Sequence, residues 1–479
     1  MLQDSIVYTS LLLSKSRLFA SEKYAILVVF ALCIALRAAP ELVAYPYPIG
    51  YDVVNYYIPT VTNFEDKWDT TSKQYPLYVT FLYLLTLISG LGAHSVVVAV
   101  IIIMTGIFGI SLFYLGRTIL KLGISQSAFI AIFAVFQLAV LRTTWDLHRD
   151  IFALTIMIFV FSLLSRKKDK GWRILALILV LTTLTVAADR MVGALFSVSL
   201  AIYAIMTRRK DVTLTGILAI GMFCAFAVPT QSIPDIQTIT TMEGILQNNS
   251  NQVKEFYNPS NLSLFFLVIN GLLAAPAVIG FLNMKNSMLK IPLLVCLIGS
   301  FSWLAFPENP YLLADRWIIL AGIFLSVFAG YGILYLIRNL KEAFTIAGCI
   351  LGAFAILGLA YAVIPHDSAS VVYGIVGVHA KDLPPVTMQF NSIDVEDNDD
   401  LLSAIAWINK NTEQEALIVG ETHWRGFMEI YLEDKRIFHF SENPQAFAEA
   451  LSKAGHRVYL IEFSSKSPTL FVVKDVPSI

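Results

Sequence analysis

Long apolar stretches dominate this chain and leave few folds open to it. Of its 479 residues, 57% are hydrophobic and only 14% are charged, and the mean hydropathy is +0.68. A soluble domain is usually about 45–50% apolar and about 25% charged. An apolar stretch of about 17–25 residues can cross the hydrocarbon core of a bilayer as a helix. The composition therefore predicts a polytopic α-helical membrane protein.

About eleven stretches reach the length of a membrane span. They lie near residues 22–39, 95–116, 124–141, 151–165, 172–188, 191–206, 212–230, 261–283, 290–306, 316–337 and 344–364. A further apolar run at 76–91 is ambiguous, because counting it as a span would reverse the side of every later loop. The number of spans alone therefore does not fix which loops face outward.

The distribution of Lys and Arg resolves this ambiguity, because cytoplasmic loops of membrane proteins carry an excess of basic residues. If 76–91 lies in the membrane interface and the N-terminus is cytoplasmic, the basic clusters at 166–170 (RKKDK) and 208–210 (RRK) fall inside. If 76–91 is a full span, both clusters move outside. We therefore predict an interfacial or re-entrant helix at 76–91, in a multi-pass cell-membrane protein with an extracytoplasmic C-terminus.

The last part of the chain is more polar and predicts a separate soluble unit. We divide the chain into a transmembrane domain at 1–364, a linker at 365–398 and a small α/β extracytoplasmic domain at 399–479. Within the last range, strand-like runs such as ALIVG and RVYLIEF alternate with helical segments. Such alternation is typical of a mostly parallel sheet.

Ionisable residues in the predicted outer loops are the candidate functional groups, because the predicted spans are almost free of charge. The candidates are Asp52, Asp146, His148, Asp150, Asp189, Arg190, Glu308, Asp315 and Arg316. Ionisable groups next to apolar surface are costly, so they are typically functional or paired. Two carboxylates from different loops can activate a hydroxyl group or hold a divalent metal. An arginine nearby can neutralise a phosphate leaving group.

Each acidic candidate also has a purely structural interpretation. Asp52 follows Gly50 and Tyr51 and could cap an interfacial helix. Asp146 could pair with a neighbouring arginine, and Asp150 could cap the span that follows it. The sequence alone does not decide which of Asp146 and Asp150 is functional.

The other candidates have alternatives as well. His148 could be a hydrogen-bonding residue on a helix face rather than a ligand. Asp189 and Arg190 could form a local ion pair in a tight turn. Arg316 could extend its guanidinium to the membrane interface without binding anything.

The order of these parts resembles the GT-C superfamily of membrane glycosyltransferases, which includes protein O-mannosyltransferases, lipid A aminoarabinose transferases and oligosaccharyltransferase catalytic subunits. Members carry an acidic residue in the first outer loop, which Asp52 in GYDVVNYY resembles. The run YPLYVTFLYLL at 75–85 resembles the Pro-Pro-Leu-Tyr segment of the aminoarabinose-transferase branch. The stretch TTWDLHRD at 143–150 is similar to the acidic second outer loop of the family.

The resemblance implies an inverting glycosyltransferase that moves a sugar from a polyprenyl-phosphate donor, of the dolichyl or undecaprenyl type, to an acceptor on the outer face. Asp52 would be the general base toward the acceptor. Asp146 or Asp150 would position the acceptor or a divalent metal. Arg316, with Arg190, would hold the donor phosphate. The acceptor would be a lipid, a glycan or a protein, the other partners would be membrane lipids, and no nucleic acid is expected.

The same resemblance suggests the remaining contacts. Tyr56, Tyr57, His148 and Glu308 are expected to line the substrate site. The sequence does not decide whether a metal takes part; if Mg or Mn does, Asp52, Asp146 and His148 are the candidate ligands. The chain departs from the family in three places. Its first loop has no Asp-Glu pair, its tail has no Trp-Trp-Asp motif, and a single proline stands in the Pro-Pro position.

Two other classes of protein fit the composition. A multi-pass transporter or flippase of a lipid-linked or small polar solute would place binding groups at mid-membrane, on broken helices within repeated halves. The sequence shows no internal repeat and few charges within the predicted spans, which favours the enzyme. A non-catalytic membrane protein whose outer domain binds a partner is the third alternative.

Overall fold

The computed structural model describes residues 21–71, 77–166, 171–230, 258–307, 312–365, 387–413, 415–421, 424–433, 437–441, 443–463 and 471–476. The helices up to residue 363 are α1 Glu22–Ala44, a π-helix Val53–Tyr57, α2 Ile58–Thr62, α3 Phe64–Thr71, α4 Leu77–Ser89, α5 Ala93–Thr118, α6 Ile124–Val135, α7 Leu138–Asp146, α8 His148–Leu164, α9 Trp172–Ala188, α10 Arg190–Thr207, α11 Lys210–Thr230, α12 Pro259–Asn283, α13 Ser287–Ser300, α14 Ala314–Ile337 and α15 Ala343–Val363. The remaining elements are α16 Asn398–Asn411, β1 Leu417–Gly420, α17 Arg425–Tyr431, β2 Ile437–Phe440, α18 Pro444–Lys453, β3 Val458–Phe463 and β4 Phe471–Val476.

The helical part has the character of a membrane protein. Among the described residues, seven helices are long and apolar enough to cross a bilayer. The number is eight if α6 and α7, which meet at an angle of 60°, form one broken span. Each of the predicted spans overlaps a helix, except that 124–141 is divided between α6 and α7, and several of these helices are shorter than a full span. The structure thus shows a multi-pass helical fold, and the count of eleven spans stays a prediction.

Contacts at the ends of the helices show how the bundle alternates in direction. The start of α1 meets the end of α5, where Glu22 Oε1 lies 3.7 Å from Arg117 Nε. The end of α8 meets the start of α11, where Arg209 Nη2 donates to the Leu164 carbonyl oxygen at 2.8 Å. These loops, all predicted to be cytoplasmic, carry the basic clusters. The acidic candidates therefore lie at the opposite end of the bundle from these basic loops.

The segment predicted to lie in the interface forms the short helix α4, and Pro76 itself lies outside the described residues. Its 13 residues span about 20 Å at 1.5 Å per residue, less than the roughly 30 Å of a hydrocarbon core. Tyr83 on α4 stacks on Phe64 of α3, with ring centroids 4.1 Å apart. Its hydroxyl donates to Glu65 at 3.2 Å. The segment is thus too short to cross a bilayer alone, and it packs against α3.

The C-terminal unit has the mostly parallel sheet that the alternation of strands and helices predicts. Its strand order is β2-β1-β3-β4, with β2, β1 and β3 parallel and β4 antiparallel. Successive side chains of a strand point to opposite faces. Ile418 of β1 accordingly packs with α16 and α17, whereas Val419 packs with Ala448 of α18. The sheet therefore lies between helices on both faces.

The predicted linker at 365–398 is in part a fixed structure, and its residues 366–386 lie outside the described range. The remaining segment, which we call the strap (residues 387–398), packs against the membrane part. Gln389 donates from Nε2 to the carbonyl oxygens of Pro40 at 3.1 Å and Ala362 at 2.8 Å. Asn391 Nδ2 donates to the Pro48 carbonyl oxygen at 2.8 Å. Two amide side chains of this segment therefore satisfy backbone carbonyl oxygens of the membrane part.

Candidate functional site

Two acidic loops that are far apart in the sequence meet at the outer end of the bundle. The backbone N–H of Asp52, just before the π-helix, donates to Asp146 Oδ1 at the end of α7, with a distance of 2.5 Å. Asp146 is buried and Asp52 is partly buried. The structure therefore brings together the first and second acidic loops.

Gly50 allows this close approach. Its φ of +95° lies in the left-handed region that residues with a Cβ rarely adopt. A Cβ atom at this position would also lie 2.2 Å from the Trp145 carbonyl oxygen, one residue before Asp146. Only a glycine lets the first loop pass so close to the second, and this contact places Asp52 beside Asp146.

The structure also bears on the capping interpretation of Asp52. Asp52 occupies the N-cap position of the π-helix, but its carboxylate makes no capping hydrogen bond. Short π-helical turns are rare and occur frequently at functional sites, because they displace a side chain from its regular α-helical position. The Asp52 carboxylate is thus not engaged in holding the helix end.

Three arginines surround the two carboxylates. Arg142 Nη1 lies 3.3 Å from Asp146 Oδ2, and its guanidinium lies 4.3 Å from the ring centroid of Trp145. Arg149 lies over the Tyr56 ring at 5.3 Å. Arg149 and Arg316 both act electrostatically on Asp52. The anticipated pairing of Asp146 with an arginine is therefore present, together with the contact to Asp52.

Burial and charge together change the acidity of Asp52. Burial first, and the Asp146 charge second, raise the pKa of Asp52 from 3.8 to about 7, although Arg149, Arg316 and Arg142 oppose the rise. A carboxyl group with a pKa near neutrality exchanges a proton readily at physiological pH. The site thus has the property required of a general base.

A second pair of carboxyl groups lies at the same end of the bundle. Asp150, in the first turn of α8, faces Asp189, and both side chains are buried. Asp189 Oδ1 also accepts the Val192 N–H at 2.9 Å and so caps α10. Arg316, at the start of α14, acts on both Asp150 and Asp52. Arg316 therefore links the two acidic pairs.

Other predicted site residues are placed as follows. Arg190 is exposed, whereas Asp189 beside it is buried among the acidic groups. The sequence therefore indicated the right turn, but the residue that joins the charge cluster is the aspartate. Glu308 lies outside the described residues.

The aromatic candidates lie next to the acids. The His148 ring is buried and stacks on Tyr57, with centroids 5.1 Å apart and planes inclined by 12°. In the part of the chain that the structure describes, no three His, Cys, Asp or Glu side chains are grouped so as to hold a metal ion. Asp52, Asp146 and His148 thus do not form the three-ligand set suggested by the resemblance.

The soluble domain contacts the π-helix directly. Val54 is buried in the core of that domain, and Asn55 Oδ1 accepts the Gly426 N–H at 2.9 Å. Asn55 Nδ2 donates to Ser392 Oγ of the strap at 2.6 Å. The C-terminal unit therefore packs on the π-helix that follows Asp52.

Substituting Gly426 with alanine tests this contact between the C-terminal unit and the π-helix. The new Cβ atom would lie 2.3 Å from the Val54 carbonyl oxygen, so the domain must shift away from the π-helix. Crowding of this kind typically costs about 1–3 kcal/mol. We expect a lower Tm in micelles. Gly352→Ala is the matched control, because a Cβ at Gly352 meets no atom within 4 Å. Equal Tm values for the two variants would contradict the described contact.

Fold and site together define a class of protein: a polytopic, membrane-embedded helical protein with a small C-terminal α/β unit and a cluster of acids and arginines at one end of its bundle. A scan against models of known protein families found no match, and neither did a search of curated protein sequences.

Proposed function

We propose that this protein is a membrane glycosyltransferase that transfers a sugar from a polyprenyl-phosphate donor to a hydroxyl group of an acceptor. One observation carries the proposal. Two acidic residues from separate loops are joined by a hydrogen bond from the Asp52 backbone N–H to the Asp146 carboxylate, with arginines beside them, at the end of an apolar helical bundle. Such a site offers a base for the acceptor, positive charge for a phosphate, and apolar helices for a polyprenyl chain.

The proposed reaction is a single displacement. Asp52 accepts the proton of the acceptor hydroxyl, and the acceptor oxygen forms a bond to the anomeric carbon. The bond from that carbon to the donor phosphate oxygen breaks on the opposite face, and its electron pair stays on the phosphate. The configuration at the anomeric carbon is thereby inverted. Arg316 and Arg149 stabilise the charge that grows on the leaving phosphate.

The remaining groups have supporting roles in this proposal. Asp146 holds the Asp52 backbone in place and keeps the Asp52 pKa high through its charge. Arg142 balances Asp146. The Asp150–Asp189 pair orients Arg316. No step is assigned to Mg or Mn.

The topology is also part of the proposal. With eleven spans and a cytoplasmic N-terminus, the acidic loops and the C-terminal unit face the outside of the cell membrane. The grouping of basic loops at the other end of the helices supports this orientation. The acceptor would then be a lipid, a glycan or a protein on the outer face.

Replacing Asp146 with asparagine should move the pH dependence of transfer to lower pH. The negative charge of Asp146 raises the pKa of Asp52, so its removal lowers that pKa. The base would then be ionised at a lower pH, and the rising limb of the rate profile would shift downward from about pH 7, accompanied by a lower maximal rate. Rates measured between pH 5 and pH 9 test this. An unshifted limb, or one moved upward, would contradict the assignment of the limb to Asp52.

The proposal is tested with the purified protein in detergent micelles and no ion gradient. A synthetic polyprenyl-phosphate hexose is the donor, and a membrane extract supplies acceptors. We expect free polyprenyl phosphate to accumulate, as followed by mass spectrometry, together with a glycosylated acceptor. A transporter would leave the donor intact, and that result would overturn the proposal.

A further inference from the structure

One backbone oxygen of the strap accepts hydrogen bonds from both acidic loops. The carbonyl oxygen of Phe390 accepts two hydrogen bonds. One comes from the Gly50 N–H at 2.9 Å, and the other comes from Trp145 Nε1 at 3.0 Å. Gly50 stands two residues before Asp52, and Trp145 stands one residue before Asp146. A single backbone oxygen therefore joins the two loops that carry the acid pair.

A second hydrogen bond strengthens this junction. Trp145 Nε1 also donates to the Met388 carbonyl oxygen at 2.9 Å. Trp145 and Met388 are fully or almost fully buried, and a buried hydrogen bond that loses one partner leaves the other unsatisfied at a cost. The strap itself is anchored independently, because Gln389 donates to the carbonyl oxygens of Pro40 and Ala362. The junction is thus built from buried, satisfied polar groups.

We propose that the strap is a positioning element of the catalytic site, which fixes the distance between Asp52 and Asp146 through the Phe390 carbonyl oxygen. Trp145 is the positioning residue, because its indole N–H donates to that oxygen. The inference rests on the proposed function for its effect on rate, but the junction itself is testable without any activity. It also gives the C-terminal part of the chain a role in the chemistry, because the strap leads directly into the soluble domain.

The contacts predict how a loosened strap would act. Without the shared oxygen, the two loops lose their common partner on the strap, while the Asp52–Asp146 hydrogen bond and the ring contacts of Tyr56 and Tyr57 with Arg149 and His148 still join them. We expect the carboxylates to move apart. The charge of Asp146 then acts less strongly on Asp52. The charged and titratable groups that face Asp52 are Asp146, Arg142, Arg149, Arg316, Tyr51, Tyr56 and Tyr57. A weaker Asp146 charge and a less buried Asp52 carboxyl group both lower the pKa of Asp52, whereas loss of an arginine would raise it.

Trp145→Phe is the first test variant. It keeps a buried aromatic ring but removes the N–H that both carbonyl oxygens use. Hydrogen–deuterium exchange of the full-length protein in micelles should show faster exchange in peptides that contain Gly50, 95 residues away in the chain. Trp172→Phe is the control, because Trp172 is exposed at the start of α9, on the basic side of the bundle and away from both acidic loops. The control should leave exchange near Gly50 unchanged.

Gln389→Met is the second test variant, because Trp145 also touches Arg142 and its replacement could act through that arginine. Gln389 anchors the strap and has no contact with Arg142 among its hydrogen bonds. A methionine of similar length removes the anchoring donors. The same faster exchange near Gly50 is expected, and its absence in both variants would overturn the proposed junction.

The kinetic readout separates positioning from general damage. In both variants we expect kcat to fall about tenfold with the donor KM changed by less than about threefold, because a small misplacement of reacting groups is costly. The acidic limb of the pH profile should move downward by about half a pH unit. Faster exchange with an unshifted limb would contradict the positioning role while leaving the glycosyltransferase proposal in place. If the wild type transfers no sugar, the proposed function is contradicted. The exchange result then still tests the junction between the strap and the two acidic loops.

Discussion

Replacing Asp52 with asparagine is expected to lower the rate of sugar transfer by about a thousandfold, because a general base typically contributes about a hundredfold to ten-thousandfold. Asparagine is nearly the same size and leaves the Asp52 N–H free to donate to Asp146 Oδ1 as before. It cannot accept a proton from the acceptor. The measurement is kcat/KM for the donor at pH 8, where the wild-type carboxylate is ionised. A variant with at least a tenth of the wild-type activity would remove Asp52 from the reaction.

The same substitution should not destabilise the protein. The folded state raises the pKa of Asp52 from 3.8 to about 7, so it binds this proton more tightly than the unfolded chain does. The contribution of Asp52 to stability is thus favourable at low pH and is lost as the pH rises from about 4 to about 7. At pH 8 the wild type carries an ionised, partly buried carboxylate that Asp52→Asn lacks. The variant should therefore show a Tm equal to or above that of the wild type.

A matched control separates the role of the carboxylate from a general effect of removing charge. Asp66 is an exposed residue of α3 in the same outer loop. Asp66→Asn should keep wild-type rates and an unchanged pH profile. If Asp66→Asn lost as much activity as Asp52→Asn, the effect would come from the overall charge of the loop and not from a base.

Replacing Arg316 with glutamine is expected to have the second largest effect. The arginine acts on Asp52, Asp150 and Asp189 at once, and in the proposed reaction it opposes the charge on the leaving phosphate. Removing a preorganised group that stabilises developing charge costs about a hundredfold to a thousandfold in kcat. We expect a loss of about a hundredfold in kcat and a higher KM for the donor. Inhibition by free polyprenyl phosphate should weaken in parallel.

The pH dependence of Arg316→Gln distinguishes this role from a loss of packing. Arg316 lowers the pKa of Asp52, so its removal should move the acidic limb upward, opposite to the shift expected for Asp146→Asn. Arg173→Gln is the control, because Arg173 is exposed at the start of α9, on the basic side of the bundle. Unchanged donor KM and product inhibition in Arg316→Gln would exclude a phosphate-binding role.

Much of the fold could be predicted from local sequence patterns. In the C-terminal unit, the strand-like runs ALIVG and RVYLIEF begin one residue before β1 and β3 and end with them, because short runs rich in apolar and β-branched residues are typical of buried strands. The helices of the bundle could be located from the lengths of the apolar runs, because these too are local patterns in the sequence. The bend between α6 and α7 was missed, because the run from Phe129 to Leu141 is interrupted only by Gln137, and one polar residue does not distinguish a break from a continuous span.

The candidate site was predictable only in part. The rarity of charge near apolar helices pointed to Asp52 and Asp146, and the structure brings these two together. The inclusion of Asp189 and the exposure of Arg190 depend on the direction in which a tight turn presents its side chains, which spacing does not give. Gly50 carried a signal, since glycine beside an acidic loop residue often permits a close backbone approach.

The contacts of the strap could not be predicted because its partners are distant in the sequence. Residues 387–398 are polar and rich in turn formers, a composition typical of a solvated linker. Their amide side chains find buried carbonyl oxygens more than 340 residues away, as Gln389 does at Pro40. Hydrogen bonds between such distant segments leave no local pattern in the sequence, so only the folded chain shows that this segment supports the acid pair.

The most direct test of the account is the rate of polyprenyl phosphate release by the purified wild-type protein in micelles between pH 5 and pH 9, with Asp52→Asn measured alongside. The account predicts a wild-type rate that rises through about pH 7 to a plateau, as ionisation of Asp52 requires, and a variant rate that stays near background at every pH. A wild-type protein that releases no polyprenyl phosphate, or two proteins with equal rates, would contradict it.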